Sequence, residues 1–291
     1  MARMRGKVSP QALHSLEVTL GVSHDPLGSQ YVQYINNLLH GNLGISILYL
    51  PTPVTEVIAQ NLPWTLVLVG VALIISFLLG TILGIIVVWR RGSLMDVVLS
   101  PFFTFLSAIP YFWLALVLLY IFGSLLGWFP IHGGYDADIA EPGWNLDFIF
   151  SATQYAILPA LTIIISSLAG WMLGMRNAMV TTLSEDYVLL AEAKGLTSWR
   201  VMFSYAARNA ILPNITAFAL SLGFVVSGSL LTEIVFSYPG IGFTILQAVH
   251  GLDYALLQGT FLVITMAVLG ANFLADLLYV VLDPRVRLGR S

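Results

Sequence analysis

The chain holds two lysines, and neither is placed to grip a nucleotide phosphate. A phosphate-cradling loop needs a glycine-rich turn followed by Lys and then Ser or Thr, so that backbone N–H groups and an ammonium surround the anion. Lys7 precedes Val8 and Lys194 precedes Gly195, which excludes such a loop here. Five histidines (His14, His24, His40, His132 and His250) show no ligand spacing, and no metal site is expected. The absence of cysteine removes thiolate ligands, disulfides and cysteine nucleophiles. Ser227-Gly228-Ser229 offers a serine nucleophile, but no histidine stands within a neighbouring apolar stretch to activate it. No catalytic residue is expected in this chain.

Two acidic residues fall inside or at the edge of apolar stretches, where charge is costly and therefore functionally suspect. Glu233 lies near the end of one stretch. Asp276 lies within another, one turn from Asn272 on the same face. Pairing of Asp276 with Asn272 or a nearby arginine is the structural reading; a part in proton or cargo passage is the functional one.

The elements that must position these residues are apolar throughout. Of 291 residues 58% are hydrophobic and 9% charged, against about a quarter charged in a soluble domain. A surface so poor in charge faces lipid. The formal net charge of −3 argues for no nucleic acid or other strongly charged partner.

About 20 apolar residues cross a bilayer, and five stretches meet that length. They run from about Leu62 to Val88, from Ser100-Pro101 to Gly127, between Asp147 and Arg176, between Arg208 and Glu233, and from Asp253 to about Leu282. Arg90, Arg91, Arg176, Lys194, Arg200, Arg208, Arg285, Arg287 and Arg290 all lie on alternate connections and the C-terminal tail. The connections at about 127–152 and 237–253 carry none. Basic residues stay on the cytoplasmic side, so residues 1–61 are expected to be extracytoplasmic and 62–282 to form the transmembrane domain. A cytoplasmic loop spans 176–210, and 283–291 form a cytoplasmic tail. Residues 1–61 are too polar to insert and begin with Arg3, Arg5 and Lys7. A spanning helix upstream of them is therefore expected to be missing.

Gly80 and Gly84, Gly170 and Gly174, and Gly223 and Ser227 form small-xxx-small pairs that let helices approach closely in lipid. Packing within the chain, or a face for a second membrane chain, follows. Pro101, Pro110, Pro159 and Pro213 predict kinks, and Trp64, Trp89, Trp113 and Trp128 fall near the ends of spans, where aromatic belts form.

The connection at 176–210 contains a well-punctuated helix. Ser184 is placed as its N-cap, Glu185 and Asp186 in its first turn, Lys194 in its last, and Gly195 as its terminator. Thr197 or Ser198 then caps a second helix running through Trp199 and Arg208 towards Pro213. A helix this short is marginal alone in water, so it packs on something. A groove on another protein and its own bundle are both open.

Asp186-Tyr187-Val188, followed by Ala191-Glu192-Ala193-Lys194-Gly195-Leu196 and then by Arg208-Asn209-Ala210-Ile211-Leu212-Pro213, closely resembles the cytoplasmic signature of binding-protein-dependent ABC importer permeases. The spacing from Gly195 to Pro213 is similar to the peptide/nickel branch, though Leu189 stands where the general form has Glu. Gly41-Asn42-Leu43-Gly44-Ile45-Ser46 with Pro53-Val54, the stretch from Glu233 through Pro239-Gly240, and Leu282-Asp283-Pro284-Arg285-Val286-Arg287 match the same branch.

The resemblance implies an all-α integral membrane fold, the transmembrane domain of a type I ABC importer. Six helices are implied, of which five are present. It implies that residues 185–203 form a coupling helix docked on a separate ATPase subunit, with Asp186, Tyr187, Ala191, Ala193, Lys194, Gly195 and Pro213 as the coupling positions. It implies a second homologous permease, two ATPase subunits carrying ATP and Mg, and an extracytoplasmic solute-binding protein. The place implied is the inner membrane of a prokaryote. Cargo is a peptide, a nickel complex, an oligosaccharide or a similar small solute. An ion-coupled secondary transporter is the alternative; it would show more intramembrane charge and inverted repeats.

Overall fold

The computed structural model describes residues 25–225 and 229–282, with side chains as far as Phe273. The N-terminal basic residues Arg3, Arg5 and Lys7, the pair Ser227-Gly228, the side chain of Asp276 and the 283–291 tail lie outside the described residues. The described residues are helical, apart from loops and one isolated antiparallel bridge between Ile45 and Pro53.

A 13-residue amphipathic helix, α1 (Leu27–Leu39), precedes the bundle and buries none of its side chains. Two long helices then form the axis, α2 (Val54–Trp89, 36 residues) and α5 (Leu146–Thr182, 37 residues). At 1.5 Å per residue each is about 54 Å long, far more than the roughly 30 Å of a hydrocarbon core. The first expected span thus begins eight residues early, because Val54 to Asn61 continue the helix beyond the apolar stretch. The two helices touch at the expected glycine pair. A Cβ on Gly80 would stand 2.6 Å from Trp171 Cβ, and one on Gly84 2.6 Å from the Met172 carbonyl. The pair at 170 and 174 is split, for Gly170 faces open space while Gly174 faces Asn214.

The second expected span is not one rod. It consists of α3 (Leu94–Ala108) and α4 (Tyr111–Leu118), the latter continued by a wide π-helical segment, Leu119–Leu125. The two parts are bent by 97° at residues 109–110. Proline denies the chain one backbone donor there and forbids the preceding residue helical geometry; Ile109 accordingly lies at φ −77°, ψ 124°.

After α5 come α6 (Asp186–Ala193) and α7 (Ser198–Arg200). The chain continues through a π-helical Val201–Ala207 into α8 (Arg208–Ala210) and α9 (Leu212–Phe224). α10 (Leu230–Val235), α11 (Ile241–Gly251) and α12 (Tyr254–Leu282) complete the bundle. The fourth expected span is therefore made of shorter pieces, α9 and α10. Among the described residues three helices are long and apolar enough to cross a membrane, and the bent pair makes a fourth span if counted as one.

Candidate functional site

The expected site lies where α6 meets one end of the bundle. Its N-terminus differs from the sequence expectation. Glu185, not Ser184, occupies the N-cap, and no side chain caps the helix. The Ser184 hydroxyl instead donates to the Thr181 carbonyl at 2.7 Å, prolonging the turn that ends α5. The helix is accordingly eight residues, about 12 Å, long.

Its C-terminus follows expectation. Gly195 has φ +71°, a left-handed conformation that side chains disfavour. Its N–H donates to the Glu192 carbonyl at 2.8 Å, and the Leu196 N–H donates to the Ala191 carbonyl at 3.4 Å. This paired 5→2 and 6→1 closure satisfies two of the last carbonyls of α6.

The two faces of α6 differ in what they meet. Val188 and Ala191, three residues apart, are buried among Ile85 and Val88 of α2, Met175 and Met179 of α5, and Val201 and Met202. Ala191, expected as a coupling position, therefore packs into the chain's own bundle. The opposite face is exposed and partly apolar. Tyr187, Leu189 and Leu190 are 39%, 51% and 56% exposed, beside Asp186, Ala193 and Lys194. Trp199, just beyond, is 70% exposed. Pro213 stands in the first turn of α9, where its missing N–H costs nothing. Val188, Leu189 and Leu190 were not among the expected coupling positions. The i, i+3 pairing of Val188 with Ala191 was the signal that separated the inner face from the outer.

Buried polar groups elsewhere join distant segments. Glu233, fully buried, accepts from Thr65 Oγ1 at 3.0 Å and from the Gly242 N–H at 2.6 Å. Thr65 Oγ1 in turn accepts from the Ile241 N–H at 2.8 Å. A carboxylate thus sits at the N-terminus of α11, where unpaired N–H groups and the helix dipole favour negative charge. Gly240 makes room for it: a Cβ there would collide with the Glu233 carboxylate and with Thr65. Glu233 is in this way accounted for as a helix cap. Asp253, also fully buried, caps α12 through the Leu256 N–H at 3.0 Å. Its other oxygen accepts from Ser46 Oγ and the Leu48 N–H. Burial, followed by the nearby Asp253 carboxylate, pushes the Tyr49 phenol above its ordinary value. Arg176 donates through Nε and Nη2 to Asp96 Oδ1 at 3.2 and 3.1 Å, tying α5 to α3. Asn272 contributes a buried carbonyl oxygen without a hydrogen-bond partner, against Gly223. Among the described residues no three His, Asp or Glu side chains could together hold a metal ion.

The fold is that of an integral membrane bundle whose buried carboxylates bind its own segments together. The chain belongs to the family of binding-protein-dependent transport system inner membrane components, whose pattern matches residues 76–288. Its similarity extends nearly end to end to named permeases. It is 35% identical over 297 residues to the di/tripeptide transport system permease protein DppB of Pseudomonas aeruginosa (strain UCBPP-PA14), covering 98% of this chain and 87% of that one. The probable D,D-dipeptide transport system permease protein DdpB of Escherichia coli (strain K12) is 36% identical, with 97% and 86% covered. The oligopeptide transport system permease protein AppB of Bacillus subtilis (strain 168) is 34% identical, with 90% and 81% covered. Among solved structures, an inward-facing form of the MetNI methionine ABC transporter superposes with a TM-score of 0.62 at 14% identity. The match covers 78% of this chain and 97% of that one. An amino acid ABC transporter crystallised with histidines gives 0.54 at 15% identity, with 77% and 94% covered. These two bear on the fold alone.

Proposed function

We propose that this chain is the membrane-spanning permease subunit of an ATP-driven importer of peptides. It would act with a second homologous permease, two ATPase subunits that bind ATP and Mg, and an extracytoplasmic solute-binding protein. The observation that carries this reading is the two-faced α6. One side is seated on α2 and α5 through Val188 and Ala191, and the other presents Tyr187, Leu189 and Leu190 to solvent. A short helix with an unpaired apolar face fits a groove on a partner. Movement of that partner would be passed through the buried face to the two longest helices.

The distribution of Lys and Arg supports a reading in which α6 and the tail are cytoplasmic and residues 1–61 extracytoplasmic. Asp186, Tyr187, Ala193 and Lys194 would then meet the ATPase. Ala191, Gly195 and Pro213 would set the seat, end and exit of the coupling element. ATP binding can shift the bundle between inward- and outward-open forms only if those contacts differ in strength between the two. The peptide cargo is supported by the names of the relatives.

The test is reconstitution of the full importer in liposomes, with radiolabelled tri-alanine supplied together with the binding protein. Uptake that requires ATP, and a crosslink from the Leu190→Cys chain to an ATPase subunit, are the expected results. Uptake driven by an ion gradient without ATP would overturn the reading.

A further inference from the structure

The bend between α3 and α4 falls at residues 109–110, the centre of the apolar stretch from Leu94 to Leu125. Ser166 and Ser167 fall at the centre of α5, whose midpoint is near Ile164. A helix broken at membrane depth leaves backbone groups that hydrocarbon cannot satisfy. Such a break persists only where it is buried in protein or lines a water-filled cavity. Here it lines a cavity of about 490 Å³, bounded by residues 107–111 at the break, by Ile163, Ser166 and Ser167 of α5, and by Ser229. No lining residue is charged. A second cavity of about 750 Å³ shares Ala108 with the first and runs between α3 and α5 to Arg176. The charge of Arg176 is there matched by Asp96.

The hydroxyls have a defined polarity. Ser107 donates to the Thr104 carbonyl at 2.7 Å, Ser166 to the Ile163 carbonyl at 3.0 Å, and Ser229 to Thr232 Oγ1 at 2.7 Å. With their hydrogens committed, these oxygens keep lone pairs for an incoming donor. α4 starts behind Pro110 without a side-chain cap, which places first-turn backbone donors beside the same space.

We propose that this break is a neutral hydrogen-bonding station for the main-chain amides of a peptide in transit. Ser107, Ser166, Ser167 and Ser229 receive its N–H groups. The proposal deepens the importer reading and rests on it. A site without charge does not select among side chains. Neutral hydrogen bonds exchange almost evenly with those of water, so cargo held this way also leaves.

The experiment uses the reconstituted importer and two probes, tri-alanine and tri-alanine methylated at its main-chain amide nitrogens. Both go to the same binding protein, so a change in their ratio on altering the permease belongs to this chain. The Ser166→Ala/Ser167→Ala double variant is expected to lose about five- to tenfold in tri-alanine uptake, the worth of roughly one hydrogen bond. Its uptake of the methylated probe stays near that of the parent. Ser166→Thr/Ser167→Thr, which keeps both hydroxyls, restores the ratio. Independently, the chain has no cysteine of its own, so Ser167→Cys introduces its one thiol. That thiol should react with a membrane-impermeant charged maleimide and be protected by tri-alanine, while the Leu79→Cys control, half-exposed on the outside of α2, stays unreactive. An unchanged probe ratio in the alanine variant, or labelling of Ser167→Cys no faster than of Leu79→Cys, overturns the station and leaves the importer reading intact. Failure of the parent importer to take up tri-alanine with ATP would bring down both.

Discussion

Ser46 Oγ donates to Asp253 Oδ2 at 2.5 Å, joining positions 207 residues apart. The same carboxylate holds the Leu48 N–H at 3.1 Å and the Leu256 N–H at 3.0 Å. One side chain therefore caps α12 and anchors the loop that enters α2. Replacing it by alanine leaves a buried N–H at Leu256, a partly buried N–H at Leu48 and the buried Ser46 hydroxyl without their acceptor. Asp253→Ala should destabilise the protein by about 2–3 kcal/mol and expose the 41–53 loop to protease. Limited proteolysis with thermal unfolding in detergent measures both; an unchanged midpoint would remove the anchoring role.

The cap on α11 makes a second prediction. Gly240→Ala drives a methyl group into the Glu233 carboxylate and Thr65, and both are buried. The loss should be at least about 2 kcal/mol, typical of overpacking at a buried polar group. Glu233→Gln keeps an acceptor oxygen and should cost less than Glu233→Ala. Equal losses in the two would show that the carboxylate is not acting as a cap.

The two glycine pairs on the long helices should part company. Gly84→Ala sets a Cβ 2.6 Å from the Met172 carbonyl and should separate α2 from α5, with a clear fall in thermal stability. Gly170→Ala meets nothing within 4 Å and should gain about 0.5–1 kcal/mol from helix propensity. Thermal unfolding of both variants in the same detergent settles the contrast.

At the proposed coupling element, Gly195→Val forces a β-branched residue to φ +71°, at a local cost of about 1–2 kcal/mol. It should uncouple uptake from ATP hydrolysis while membrane insertion stays normal. Gly195→Asn, which tolerates the left-handed region, should retain most transport. Normal uptake by the valine variant would contradict the role assigned to this turn.

Two substitutions on the outer face of α6 should differ in size. Lys194→Ala removes an exposed charge and should change ATPase binding by about 0–1 kcal/mol. Leu190→Asp puts a charge at the centre of the apolar patch and should abolish copurification of the ATPase, yet leave folding intact because the position is 56% exposed. Copurification yields measure both.

Much of this was legible in the sequence, and the gaps have physical causes. Apolar length located the long helices α2, α5 and α12, since lipid demands it locally, but not the short pieces of the fourth expected span; Gly195 announced its own positive φ. The early start of α2 at Val54 was hidden because a helix continuing past the hydrocarbon needs no apolar residues. Pro110 predicted a kink but not one of 97°, because packing of α3 and α4 against α5 decides the angle. The partners of Glu233 and Asp253 lie 168 and 207 residues away, beyond any local pattern. The burial of Ala191 was readable from its spacing to Val188, but the resemblance placed it among the positions docked on a partner instead.

The excess length of α2 and α5 has a mechanical result. Each reaches about 27 Å from its midpoint, and the socket for Val188 and Ala191 lies near one tip, among Ile85, Val88, Met175 and Met179. Rocking either rod by about 10° around the bilayer centre sweeps that tip through roughly 5 Å, close to one helical turn. Near Ser166 and the 109–110 bend, by the pivot, the same swing amounts to under about 1 Å. If α6 is driven by an ATPase as proposed, leverage of this kind turns a large stroke at that end into a fine adjustment at mid-depth.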